Sequence, residues 1–166
     1  MNSIFTRTSV RKFENRPVEE EKVRKLLSAA MAAPTAGNQR EYEFVVVDDP
    51  AILKELAAVS PYAGPAGKAP MAIVPLGNPQ LCRFTDYIPQ DLGAASQNIL
   101  LEAVGLGLGA VWLGIAPLTD RMEKVATILG IPEGIVPFAI IPVGYPAEQR
   151  QAADRYEATK VHYNHY

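Results

Sequence analysis

Arg7, Ser9 and Arg11 stand at every second position near the start of the chain, with Thr8 and Val10 between them. In an extended segment this alternation sends all three side chains to one face. Two guanidinium forks with a hydroxyl between them match a phosphate, whose oxygens accept several charge-assisted hydrogen bonds at once. The same residues also suit a solvated basic stretch. A second group, Thr35, Asn38 and Gln39, brings together short side chains that donate and accept hydrogen bonds. Such residues can grip a planar ligand or simply close a turn.

The elements that must position these groups follow from the spacing of apolar residues. Pro17 in a first-turn position, followed by Glu19, Glu20 and Glu21, opens a helix that runs to about Ala33. Its core stripe is Val18, Val23, Leu26, Leu27, Ala30 and Met31. Pro34 disfavours helix at Ala33, and Gly37 permits an unusual turn. Phe44-Val45-Val46-Val47, closed by Asp48-Asp49-Pro50, then reads as a buried strand. Residues 50–60 make a second amphipathic helix with Ile52, Leu53, Leu56 and Val59 inward. Residues 61–70, rich in Gly, Pro and Ala around Tyr62 and Lys68, form either a mobile loop over a site or a linker.

Residues 71–74 are a strand ended by Pro75. Residues 92–104 make a helix apolar nearly all round, which belongs in the middle of a domain or against a partner subunit. The glycines at 105, 107 and 109 follow this helix, the reverse of the strand–glycine–helix order of a dinucleotide site, so they read as a helix stop. Trp112, the only tryptophan, and Leu113 precede Gly114, where a ligand could approach the backbone closely. Thr119 caps a helix to Leu129. Residues 137–144 are the last strand, with Pro142 marking an edge position or an irregularity. Helices alternating with strands predict a sheet packed by helices, α/β or α+β.

A chain of 166 residues with 48% hydrophobic and 20% charged residues fits one globular domain, 1–166. The net charge of -2 argues against a general nucleic-acid binder. No apolar run approaches the ~20 residues that cross a bilayer, and no charged-then-apolar leader opens the chain, so the expectation is a cytoplasmic protein with no membrane partner. Cys82, the only cysteine, excludes an intramolecular disulfide and reads as an ordinary buried thiol. His162-x-x-His165 has no acidic or cysteine ligands beside it for a metal, and Ser9 has no visible His/Asp partners. No side-chain catalyst stands out.

Taken in order, several segments resemble the nitroreductase family of flavin oxidoreductases. They are Arg7 to Phe13, Ala33 to Gln39 before the Phe-Val-Val-Val strand, Asp91 to Leu101, Gly105 to Ile115, Gly144-Tyr145-Pro146, and Val161-His162-Tyr163-Asn164. The resemblance implies an α+β fold with a mixed, mainly antiparallel sheet flanked by helices, in a homodimer with a helical core and two FMN sites at the subunit interface. By matching positions, Arg7, Thr8, Ser9 and Arg11 would hold the phosphate and ribityl chain, with Lys160 arriving from the tail. Pro34, Thr35, Ala36, Asn38 and Gln39 would come from the other subunit. Trp112, Leu113 and Gly114 would flank the ring, with the Gly114 amide near flavin N5. The implied reaction passes reducing equivalents from NAD(P)H to a nitroaromatic, quinone or similar small acceptor in ping-pong order. A flavin-binding or sensing module without turnover is the alternative. Glu41-Tyr42 stands where the family often has Pro-Trp, and the short chain leaves little room for a helical lobe over the site.

Overall fold

The computed structural model describes residues 2–166. Its centre is strand β2, Met71–Gly77, buried along its whole length. Met71 and Ile73 point into one core and Ala72, Val74 and Leu76 into another, as the two-residue period of a strand requires. A strand covered on both faces has no polar side, which is why its sequence reads as one apolar run. β1, Tyr42–Val47, pairs with it antiparallel, Val45 opposite Val74. On the other side lie β5, Val136–Pro137, and β6, Ala139–Gly144, also antiparallel. β6 in turn pairs with β3, Gly109–Ala110, and β4, Leu113–Gly114. Among the described residues the one parallel pairing is an isolated bridge between Ser9 and Ala110.

One face of the sheet carries α2, Glu20–Met31, and α4, Ile88–Gly105. Leu26 and Ala30 of α2 meet Ala95, Ile99 and Ala103 of α4 over Ile73 and Ile141. The opposite face carries α3, Pro50–Leu56, and α5, Thr119–Leu129. There Leu53, Leu56 and Val125 pack with Val74, Leu113, Ile115 and Ile140. A short helix α1, Ser3–Thr6, precedes the extended N-terminal segment. The fold is α+β, with helices on both faces of a mainly antiparallel sheet. Among the described residues no helix is long and apolar enough to cross a membrane.

Several expectations change at this level. β1 is an edge strand, and Val46 is 40% exposed, so the run is half-buried and not fully buried. Pro75 does not end its strand, and Pro142 lies in a strand paired on both sides. The reason is the same for both. In a strand a residue's N and carbonyl point the same way. The Pro142 carbonyl accepts from Val111 N at 3.3 Å, so its missing donor faces the break between β3 and β4. The Pro75 carbonyl accepts from Phe138 N at 3.0 Å, placing its missing donor at the break between β5 and β6. Neither proline forfeits a ladder hydrogen bond, and the irregularity expected of Pro142 is present. Helix α2 starts at Glu20, three residues after Pro17, and Met31 at its end is 49% exposed. Thr119 is the first residue of α5 and not its cap.

Candidate active site

The extended N-terminal segment lies along the sheet through Val10, whose N–H donates to the Ala110 carbonyl at 3.0 Å and whose side chain is buried. A Cβ on Gly109 would stand 2.7 Å from Val10 Cγ2, so only glycine lets the segment come this close. With Val10 inward, Ser9 and Arg11 turn outward. The Arg11 N–H donates to Glu148 Oε1 at 2.8 Å and holds that carboxyl below the usual carboxylate range. Among the described residues its guanidinium donates only to the Ser9 carbonyl, at 3.4 Å.

Arg11 lines a cleft of about 540 Å³ together with Val111, Trp112, Leu113 and Gly114. Strand β4 builds its wall by pairing Leu113 with Ile140 and Gly114 with Ala139. Trp112 is half-buried and meets Phe138 edge-on, with ring centroids 5.5 Å apart. Gly114 is exposed, and a Cβ there would touch nothing within 4 Å. The space above it is therefore open to a ligand. Arg121, on the first turn of α5, donates from Nη1 to the Gly114 carbonyl at 3.2 Å and lines the same cleft. Ser60, Tyr62 and Pro65 complete the rim.

Arg7 and Thr8 line a different depression of about 310 Å³, shared with Ile4, Phe5 and tail residues 152–156. The alternating Arg7–Ser9–Arg11 segment thus spans two hollows. Lys160 joins neither. It is exposed and bonds Glu157 at 2.8 Å, and residues 149–166 are exposed throughout. His162 stacks on Tyr166 at 4.3 Å.

The loop after α2 forms its own surface. Gly37 and Asn38 adopt left-handed backbone, φ 57° and 55°, within the short 3-10 turn Ala36–Asn38. Asp91 Oδ2 accepts from Ala36 N at 2.9 Å and from Gln39 Nε2 at 3.1 Å. Gln39 also takes Phe84 N and Arg83 N on its Oε1. Thr35 Oγ1 accepts from Arg40 N, while Pro34 and Asn38 are exposed. Ala36 and Gly37 share a hollow with Phe84 and Tyr87, whose rings meet edge-on at 6.3 Å. Within one chain, then, the loop group and the Arg11–Trp112–Gly114 group line separate surfaces.

Sequence reasoning missed Arg121, Asp91 and the Phe84/Tyr87 pair, and named Tyr62 only within the 61–70 stretch. Only position in space marks them. Cys82 is half-buried, its Sγ 3.5 Å from the Asn78 carbonyl.

A sequence profile of the Nitroreductase family matches residues 4–79 and 62–145. The chain belongs to the nitroreductase family. It is 41% identical over 162 residues to a Methanothermobacter thermautotrophicus protein provisionally named NADH dehydrogenase/NAD(P)H nitroreductase, covering 98% of this chain and 85% of that one. A crystal structure of a provisionally named NADH oxidase from Clostridium acetobutylicum superposes with a TM-score of 0.96 at 41% identity, covering 99% of both chains. A nitroreductase from Desulfovibrio desulfuricans solved in complex with FMN gives 0.84 at 30% identity, over 99% of this chain and 95% of that one. Nitroreductase relatives therefore match the mainly antiparallel sheet and both helical layers in full.

Proposed function

We propose that this chain, as one flavin-binding domain spanning 1–166, catalyses electron transfer from NAD(P)H through FMN to a nitroaromatic, quinone or similar small acceptor. It is an FMN-dependent NAD(P)H oxidoreductase of the nitroreductase family. The observation that carries this reading is the cleft joining Arg11, Trp112, Leu113 and Gly114 beneath open space at Gly114. FMN fits these residues in kind. A phosphate asks for cations and hydroxyls, and a flat ring asks for an apolar wall with an accessible backbone amide.

FMN, when bound, would supply the redox chemistry, relaying reducing equivalents from the nicotinamide to the acceptor. The protein's work is placement and charge. Arg7, Thr8, Ser9 and Arg11 would hold the phosphate end, and Lys160, which bonds Glu157 away from both hollows in the single chain, would have to swing in from the tail to reach it. Trp112 and Leu113 would wall the ring, with the Gly114 N–H toward its reactive edge. Arg121 pins the Gly114 carbonyl and so fixes the direction of the peptides on either side. Pro34, Thr35, Ala36, Asn38 and Gln39 close the site from a second copy of the chain. Exposed apolar residues in the tail, Tyr156, Val161 and Tyr163, favour such a homodimer. Donor and acceptor would use one cleft, so they bind in turn, which is the ping-pong order. A cytoplasmic location is part of the same reading, because NAD(P)H is supplied there.

The test is anaerobic. Bound flavin should bleach on adding NADH or NADPH and recover its colour on adding a quinone. Flavin that binds but never bleaches would contradict turnover and favour a flavin-binding or sensing module.

A further inference from the structure

Glu41 begins the turn from the 34–39 loop into β1, and its side chain is 0% exposed. Neither carboxyl oxygen has a hydrogen-bond partner among the described residues, and no basic side chain pairs with it. A charge left so would be among the most costly features of the molecule. The group beside it is a second acid, Asp91 of α4, 6% exposed. Asp91 already accepts from Ala36 N and Gln39 Nε2, which leaves the unpartnered Glu41 as the place for a proton. Two adjacent buried carboxyls cannot both ionise cheaply, and a proton held between them satisfies one oxygen of each.

We propose that Glu41 and Asp91 share one proton, and that this pair positions the 34–39 loop for the flavin of the partner subunit. The flavin clause rests on the reading given above; the carboxyl pair does not. Asp91 links helix α4 to the loop backbone at Ala36 and to the loop side chain at Gln39. Glu41 stands behind it as the proton donor that keeps the pair, taken together, singly charged. Burial first, and Asp91 beside it, push the Glu41 carboxyl up from the ordinary range. Cys82 is the other titratable group facing the pair, and its thiol is also pushed up, by burial first and then by Glu41 and Asp91. Glu41 and Asp91 are positioning residues with no contact to reacting atoms.

The experiment compares wild type with Glu41→Gln, whose amide still donates to Asp91 but carries no titratable proton. The readouts are the infrared carbonyl band of a buried protonated carboxyl and the hydrogen-exchange protection of the Ala36 N–H, each with and without FMN. Wild type should show the band at neutral pH, and should lose both the band and the Ala36 protection as pH rises. Glu41→Gln should lack the band and keep its protection at alkaline pH. Asp91→Asn gives a second handle, because removing the neighbouring charge should move the band's titration to lower pH. A wild type with no such band at neutral pH, or an alkaline loss of protection unchanged in Glu41→Gln, would overturn the pair. FMN affinity is read separately. Wild type should bind at least tenfold more weakly once the pair ionises, and Glu41→Gln should not. Loss of Ala36 protection without loss of FMN affinity would uphold the pair and overturn the loop's place at the flavin.

Discussion

Arg11 is anchored through its backbone, so its guanidinium is left to meet an anion in the cleft. Arg11→Ala should weaken FMN binding by about 1.5–3 kcal/mol, the usual worth of a hydrogen bond to a charged group. Fluorescence titration of apoprotein with FMN reads this directly, and unchanged affinity would remove Arg11 from the site. Glu19 shows the opposite treatment of a carboxylate from Glu41. Its oxygens accept from the Tyr145 hydroxyl at 2.6 and 2.9 Å and from Arg16 at 2.9 Å, with Lys22 3.7 Å away. Tyr145 first, helped by Arg16 and Lys22, lowers it to about 2 from an ordinary 4.5. The stability it adds is present above about 4.5 and fades as pH falls toward about 2. Tyr145→Phe should raise the Glu19 pKa in an NMR titration. For Glu41 the sign reverses. Its contribution is intact at low pH and is lost as pH rises above the ordinary carboxylate range, so Glu41→Gln should gain thermal stability over wild type toward alkaline pH and match it in acid.

At the scale of elements, the N-terminal segment reaches the cleft only because Gly109 admits Val10. Gly109→Ala would press a methyl into Val10 Cγ2, Cβ and Cγ1 at once, and should cost about 1–3 kcal/mol in chemical denaturation. No change in midpoint would show that the segment is not held where it lies. Residues 61–70 are packed more firmly than a free loop, since Ala63, Ala66 and Ala69 are buried beside α3 and β6. Tyr62, 74% exposed, stands at the rim of the cleft.

What was legible in the sequence follows from these same features. Pro34, Gly37 and the β-branched run after them punctuate the chain so strongly that helix, loop and strand were readable in place. Whether β1 sat at an edge was not, because Phe-Val-Val-Val looks alike in a covered or half-covered strand. Pro75 misled for a physical reason: its missing donor, like that of Pro142, falls at a ladder break that only the tertiary pairing creates. Arg121 and Phe84 were invisible because nothing local distinguishes a surface arginine or aromatic that faces a cleft. Glu41 did stand out against the family pattern, but its burial against Asp91 is a product of the fold.

The whole molecule offers two half-sites. One surface carries Arg11, Trp112 and Gly114, another carries the 34–39 loop, and the tail stretches away with exposed aromatics. On the proposed reading a second copy of the chain would unite them economically, because each copy would complete the other's site. Helix α4 fits that arrangement, since its outer face keeps half-buried Ala94, Leu101 and Val104. The most direct test is the visible absorption spectrum of the protein as it elutes from a sizing column without added cofactor, with the released chromophore identified by mass. The account predicts FMN at close to one per chain on a species of dimer size. A colourless protein that also refuses added FMN, or a stable monomer carrying flavin, would contradict it.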